Sequence, residues 1–277
     1  MKRACVIGWP VEHSRSPAIH RYWLKLYGID GAYEKEAVRP EELAGFLRSL
    51  AERGYAGANV TLPHKEEALR LAFIADEPAR AIGAANTIWL DNTGRLNASN
   101  TDAYGFMTNL NQEAPHWNRG RRPAMVLGAG GAARAIVYGL IAQGSSRVLI
   151  ANRTRDRAQA LAGAFGPAVS VIDWDGRNQA LAGCGLLVNA TSLGMTGKEP
   201  LDIDVGALPD DAAVADIVYS PLETPLLASA RARGRQTVGG LGMLLYQAVP
   251  GFERWFGVRP EVTKELRAHV AATLGGA

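Results

Sequence analysis

Apolar runs of strand length alternate with helix-period stretches over the first hundred residues. Arg3–Ile7 reads as a strand that breaks at Gly8-Trp9-Pro10, and a helix runs from Ser16-Pro17 to Tyr27, where Gly28 stops it. A strand Ala32–Val38, a helix Pro40–Arg53 closed by Gly54, and a strand Gly57–Leu62 halted by Pro63 follow. The pattern then predicts a helix through Ala75 and another from Ala103 to about Gln112. Such alternation predicts an α/β sheet of mainly parallel strands. Beyond a segment punctuated by Pro115, Gly120 and Pro123, a second set begins with strand Ala124–Leu127, helix Ala132–Ala142 and strand Arg147–Ala151. Later strands are predicted at Ala168–Ile172, Gly185–Asn189, Ala213–Val218 and Thr237-Val238. The chain is helical from Leu241, with a further helix Pro260–Leu274, and these follow the second sheet without completing it. Two domains are therefore expected: 1–105, completed by helices 241–277 that return to it, and 106–240.

Composition changes this picture little. A length of 277 residues accommodates two domains, and a net charge of +3 with dispersed arginines points away from nucleic acid. The dense cluster Arg119, Arg121 and Arg122 sits among linker residues and reads as solvated. Cys5 and Cys184 provide neither a disulfide framework nor a metal-ligand spacing, and the five histidines form no ligand pair, so no metal is expected. The six-residue apolar run from Ala4 is too short for a signal-peptide core, and no run approaches the ~20 apolar residues of a membrane span. These features predict a cytoplasmic protein, with monomer and homodimer both left open.

Chemistry enters at Gly128-Ala129-Gly130-Gly131-Ala132-Ala133, which lies between a predicted strand and a predicted helix. In that context a G-x-G-x-x-G/A turn binds a dinucleotide: Gly128 permits the tight turn, Gly130 lets backbone N–H groups approach a pyrophosphate, and Ala133 allows close packing. The helix N-terminus then faces the phosphates with its unpaired N–H groups. About twenty residues on, an NAD site carries an acid, whereas this chain reads Asn152-Arg153-Thr154-Arg155-Asp156-Arg157. Guanidinium groups there suit the 2′-phosphate of NADP, although the same arginines also fit a solvated helix start.

The first domain offers polar groups for a substrate. Asn59 and Thr61 share one face at the C-terminal end of a strand, where α/β sheets bind ligands; an exposed edge face is the alternative. Lys65 falls in the first turn of a helix, where the dipole disfavours a cation, which suits acid–base chemistry as well as a solvated lysine. Asp102 reads equally as a helix N-cap, and so does Ser16 before Pro17, while Ser14 lacks that reason to be there. Asn86 fits a loop residue bonding its own backbone.

Taken together, these segments resemble the shikimate dehydrogenase family. The likeness is carried by His13-Ser14-Arg15-Ser16-Pro17, Gly57 to Glu66, Ala84 to Ile88, Asn100-Thr101-Asp102, Gly128 to Ala133, Asn152-Arg153-Thr154 with Arg157, Asn189 to Ser192, Tyr219-Ser220-Pro221 with Thr224 to Leu227, and Gly239 to Gln247. The resemblance implies a substrate domain followed by a Rossmann-type NADP-binding domain. It also implies NADPH-dependent, reversible reduction of 3-dehydroshikimate to shikimate, on the route to aromatic amino acids. It makes Lys65 and Asp102 the catalytic pair and assigns Ser14, Ser16, Asn59, Thr61, Asn86, Tyr219 and Gln247 to the substrate. It assigns Gly128, Ala129, Gly130, Gly131, Ala132, Asn152, Arg153, Thr154, Arg155, Asp156, Arg157, Ile217, Gly240 and Glu77 to the cofactor. Ala98, Ala103 and Arg21 depart from residues frequent in the family. Two rival readings are a quinate/shikimate dehydrogenase using NAD or both cofactors, and a catalytically silent NADP-binding regulator.

Overall fold

In the computed structural model, which describes residues 1–274, the chain divides into two units: Met1–Asp102 with the segment from Leu245 onward, and Ala103–Leu244. Residues 275–277 of the expected C-terminal segment lie outside the described residues.

The first unit is built on a six-stranded sheet. Its elements are β1 (Lys2–Gly8), α1 (Ser16–Leu26), β2 (Gly31–Ala37), α2 (Leu43–Arg48), β3 (Tyr55–Val60), α3 (Lys65–Leu71), β4 (Ile74–Ala75), α4 (Glu77–Ile82), β5 (Thr87–Leu90) and β6 (Leu96–Ser99). The order is β2-β1-β3-β5-β6-β4, parallel except where β5 runs against β3 and β6. Cys5, Ile7, Ala58 and Val60 point to one face and pack on Leu43, Phe46, Leu47 and Leu50.

Several predicted boundaries move. Strand β3 stops at Val60, so Thr61 lies just past it, and Leu62 is 72% exposed instead of sharing the buried face of Val60. The helix expected through Ala75 ends at Leu71, because the next residues extend along β6: Phe73 N–H donates to Leu96 C=O and Asp76 N–H to Ala98 C=O. The helix expected over Pro40–Arg53 shrinks to a 3₁₀ turn at Pro40–Glu42 followed by α2. The β5–β6 hairpin was not foreseen. Asp91 makes it, its carboxylate accepting from the N–H groups of Thr93 (2.8 Å) and Arg95 (3.0 Å).

The second unit is a fully parallel sheet of order β12-β11-β10-β7-β8-β9. It runs through α5 (Asp102–Glu113), β7 (Ala124–Leu127), α6 (Gly131–Ala142), β8 (Val148–Ala151), α7 (Arg155–Phe165), β9 (Val169–Ile172) and α8 (Arg177–Ala180). Then come β10 (Leu186–Asn189), β11 (Ala213–Asp216), α9 (Pro225–Ala232), β12 (Gln236–Val238) and α10 (Gly240–Tyr246). Both faces are covered, as a parallel sheet requires. Val126, Ile150, Val188 and Ala215 meet Leu110, Ile136 and Leu140 on one side, while Leu127, Leu149, Leu187 and Val214 meet Leu181, Leu226 and Leu227 on the other. Strand β11 ends two residues earlier than expected, because Val218 N–H turns back onto the Asp216 carboxylate at 3.0 Å.

The last helices, α11 (Ala248–Phe256) and α12 (Lys264–Ala272), pack on α1, and α11 also covers β1, β3 and β5. Trp255 Nε1 donates to Ile88 C=O at 2.9 Å. That approach needs Gly57, because a Cβ there would lie 2.2 Å from both Ile88 O and Trp255 Nε1. Phe252 and Trp255 join Trp23, Tyr33 and His20 in one aromatic cluster. Burial lowers the His20 imidazole to a pKa of about 3, so it sits there neutral, its ring stacked on Tyr33 at 4.0 Å. No helix among the described residues is long and apolar enough to cross a membrane.

Candidate active site

The turn after β3 sets Lys65. Thr61 N–H continues the ladder onto Ile7 C=O, and the buried His64 holds the turn down with its Nε2 2.7 Å from Val38 O. Lys65 therefore opens α3, and its own C=O accepts from Ala85 N–H at 2.8 Å, tying it to the segment that carries Asn86. Its ammonium reaches Asp102 Oδ2 at 2.6 Å, with the two side chains 23% and 13% exposed. The lysine is neither solvated nor isolated.

Asp102 is not used as a cap. Asn100 Oδ1 takes the Asp102 N–H at 3.0 Å, leaving the carboxylate to accept from Lys65 on one oxygen and from Asn86 Nδ2, at 2.7 Å, on the other. Asn86 is likewise more than a loop residue. Its Oδ1 accepts from Thr101 N–H (2.8 Å) and from the Thr87 hydroxyl (3.1 Å), which fixes the amide so that Nδ2 faces Asp102 and, at 3.3 Å, Gln247 Oε1. The Thr101 hydroxyl donates to Gln247 C=O at 2.8 Å, fastening the start of α11 to the same network. Asn59 is buried, which excludes the exposed-edge alternative; its Oδ1 accepts from Tyr33 OH at 2.5 Å and its Nδ2 lies 3.3 Å from Thr87 Oγ1. Burial pushes the Tyr33 phenol well up, so it stays a donor.

Lys65, Asp102, Asn86, Gln247 and Asn59 thus form one connected polar network in the first unit. Ser14 and Ser16 lie at the entry to α1 with exchanged local roles. Ser16 is the first helical residue and nearly buried, while Ser14 Oγ accepts its N–H at 3.3 Å. Thr61 is half-buried after β3, and Glu77 lies in the first turn of α4. Thr87, Thr101, Asn100 and Tyr33 carry the network without having been given roles from the sequence. The one available signal was the run Asn100-Thr101 beside Asp102.

In the second unit the strand order reverses at β7, which has β8 on one side and β10 on the other; such a switch point is where open α/β sheets bind ligands. Gly128 sits there with φ +107°, a conformation that side chains resist, and a Cβ on it would meet Ala190 O at 3.0 Å. The space in front of Gly130 and Gly131 is open, and Gly130 precedes α6 with no side chain capping the helix. Ala129 and Ala132 complete this cradle, and Ala133 is buried against the sheet. The first turn of α6 is thereby left to an anion, and the residues fit a pyrophosphate.

At the end of β8, Asn152 Nδ2 donates to Thr154 C=O at 2.8 Å and shapes the turn before α7. Arg153, Arg155, Asp156 and Arg157 are exposed. Arg155 pairs with Asp173, whereas Arg153 and Arg157 have no ion pair among the described residues. Ile217 and Tyr219 follow β11, and Gly240 begins α10. Asp216, with its carboxyl pushed up by burial, braces this end of the sheet by accepting from Asn189 Nδ2 (3.0 Å) and Thr224 Oγ1 (2.7 Å). No group of His, Cys, Asp and Glu among the described residues is arranged to hold a metal ion.

Three family profiles match the chain: "Shikimate dehydrogenase substrate binding domain" over residues 6–88, "Shikimate / quinate 5-dehydrogenase" over 112–196, and "Shikimate 5'-dehydrogenase C-terminal domain" over 240–265. A shikimate dehydrogenase (NADP(+)) of Azorhizobium caulinodans is 56% identical over 99% of this chain and 97% of its own. Among solved structures, the shikimate 5-dehydrogenase of Thermus thermophilus in complex with NADP(H) and shikimate is 36% identical. It has a TM-score of 0.83 over 99% of this chain and 100% of its own. The quinate dehydrogenase of Corynebacterium glutamicum in complex with NAD is 31% identical, with a TM-score of 0.91 over 98% of this chain and 99% of its own.

Proposed function

The chain belongs to the shikimate dehydrogenase family, and from that premise we propose that it catalyses the reversible NADPH-dependent reduction of 3-dehydroshikimate to shikimate. The observation that carries this reading is the Lys65–Asp102 pair, held by Asn86 beside Gln247 and Asn59. Bound NADPH supplies the hydride.

The protein's part is the proton. Lys65, paired with Asp102, donates a proton from Nζ to the ring oxygen as that oxygen gains negative charge; in the reverse direction the amine takes it back. Asp102 orients the ammonium and accepts a hydrogen bond from the adjacent ring hydroxyl. Ser14, Ser16, Asn59, Thr61, Asn86 and Gln247 hold the carboxylate and remaining hydroxyls, and Tyr219 is assigned to substrate by the family resemblance alone.

For the cofactor, the glycine turn from Gly128 to Ala132 holds the pyrophosphate, and Arg153 and Arg157 take the 2′-phosphate. Arg155 contributes less, because Asp173 already engages it. Asn152, Thr154 and Asp156 shape that corner, with Ile217, Gly240 and Glu77 as further cofactor contacts.

The likeness to an NAD-bound quinate dehydrogenase favours a second reading, quinate oxidation with NAD. Against it stands Asn152-Arg153 at the position where an acid reads the ribose of NAD. Initial rates for shikimate and quinate, each with NADP⁺ and NAD⁺, test the choice. The highest kcat/KM is expected for shikimate with NADP⁺. A preference for quinate with NAD⁺ supports the second reading, and a folded protein inactive on every combination supports a silent NADP-binding regulator.

A further inference from the structure

At the start of α1 the first unit holds a cavity of about 430 Å³ whose walls include Ser14, Arg15, Arg21, Lys35 and Thr273. Three of these residues are cations, and no carboxylate among the described residues lines the space. A cluster of like charges beside a cavity raises the local concentration of anions.

Two of the cations, Arg21 and Lys35, are held in place. Arg21 Nε donates to Tyr33 C=O at 2.9 Å, which leaves its terminal nitrogens unspent, and Lys35 Nζ is anchored on Glu12 C=O. Arg15 has neither a hydrogen bond from its guanidinium nor an ion pair among the described residues. Nearby acids are engaged elsewhere. Glu34 and Glu36 alternate with Lys35 along β2, and both lie within hydrogen-bond reach of Tyr55 OH, at 2.6 and 2.5 Å, with Arg3 also on Glu34. The Glu12 carboxylate accepts from Val11 N–H at 3.0 Å.

We propose that this cavity binds the carboxylate or phosphate group of a small organic anion, at a site separate from the Lys65–Asp102 pair. Arg15 and Arg21 supply forked donors, Lys35 a point charge and Ser14 a hydroxyl. Because Ser14 is also proposed to hold substrate, an occupant raises the KM for shikimate and leaves kcat unchanged. That corollary rests on the proposed function, whereas the binding itself does not.

The test is calorimetric titration of inorganic phosphate into the full chain at low salt with saturating NADP⁺, so that the arginines after β8 are occupied. Millimolar or tighter binding is expected in the parent protein. It should weaken at least tenfold in the double variant Arg15→Gln, Lys35→Gln, while kcat with shikimate in phosphate-free buffer stays at the parent value. If the double variant fails to fold, the single variants Arg15→Gln and Lys35→Gln carry the same comparison. Titrating shikimate in place of phosphate separates two sources of the ligand. Weaker shikimate binding in the variant than in the parent identifies the substrate's own carboxylate as the occupant, and unchanged shikimate binding identifies a phosphorylated compound. No phosphate binding in the parent, or equal binding in the variant, overturns the proposal.

Discussion

Asn86 decides how the Lys65–Asp102 pair is held. Thr101 and Thr87 occupy its carbonyl oxygen, so its amino group is presented to Asp102, whose second oxygen is left for Lys65. Replacing Asn86 with Ala leaves a nearly buried carboxylate oxygen without its donor, a loss of about 1–3 kcal/mol. A fall in kcat/KM of roughly 5- to 150-fold is expected in steady-state assays, since about 1.4 kcal/mol is a factor of ten. Arg153 is exposed and has no ion pair among the described residues. Its replacement by Ala removes a charge-assisted contact of about 1.5–3 kcal/mol, so the KM for NADPH should rise far more than that for NADH. Equal increases would mean that Arg153 does not read the 2′-phosphate. Lys65 was legible because its position follows from the strand, the proline and the helix beside it in sequence. Thr87, Tyr33 and Gln247 come from other elements, and only the fold shows what they touch.

Elements set off by a distinct local pattern were legible, and those without one were not. The βαβ succession around β7, α6 and β8 could be read directly, since a four-residue buried strand, a glycine turn and a twelve-residue helix each carry a distinct pattern. By contrast β4 is two residues long, and β5 and β6, four each like β7, are joined by a hairpin and not by the glycine turn and helix that mark β7 and β8. Their pairing comes from the Asp91 turn and from Trp255, which arrives from 167 residues away in sequence. Gly57→Ala tests that assembly. A Cβ placed 2.2 Å from Ile88 O and Trp255 Nε1 forces β5 and α11 apart. Overpacking of this kind costs about 1–3 kcal/mol, and urea denaturation should show at least that loss. An unchanged midpoint would mean that α11 does not pack as described.

For the molecule as a whole, the two sheets were legible in kind, while the way the C-terminal segment seals the first one depends on an aromatic cluster spread over α1, β2 and α11. His20 within it gives stability a pH dependence of definite sign. The folded imidazole titrates at about 3 and the unfolded one near 6.5. The neutral form is therefore favoured in the fold, and its contribution, complete above 6.5, is lost as pH falls toward 3. The slope reaches up to about 1.4 kcal/mol per pH unit. His20→Phe should flatten the stability profile between pH 6 and 4 relative to the parent protein, and an identical slope would place His20 in contact with solvent. In the proposed function, Lys65 moves the proton. The most direct test of this is the turnover of Lys65→Ala with saturating shikimate and NADP⁺. Positioned proton transfer is typically worth ~10²–10⁴-fold, so kcat should fall by that factor with little change in KM. Turnover at the parent rate would contradict the account.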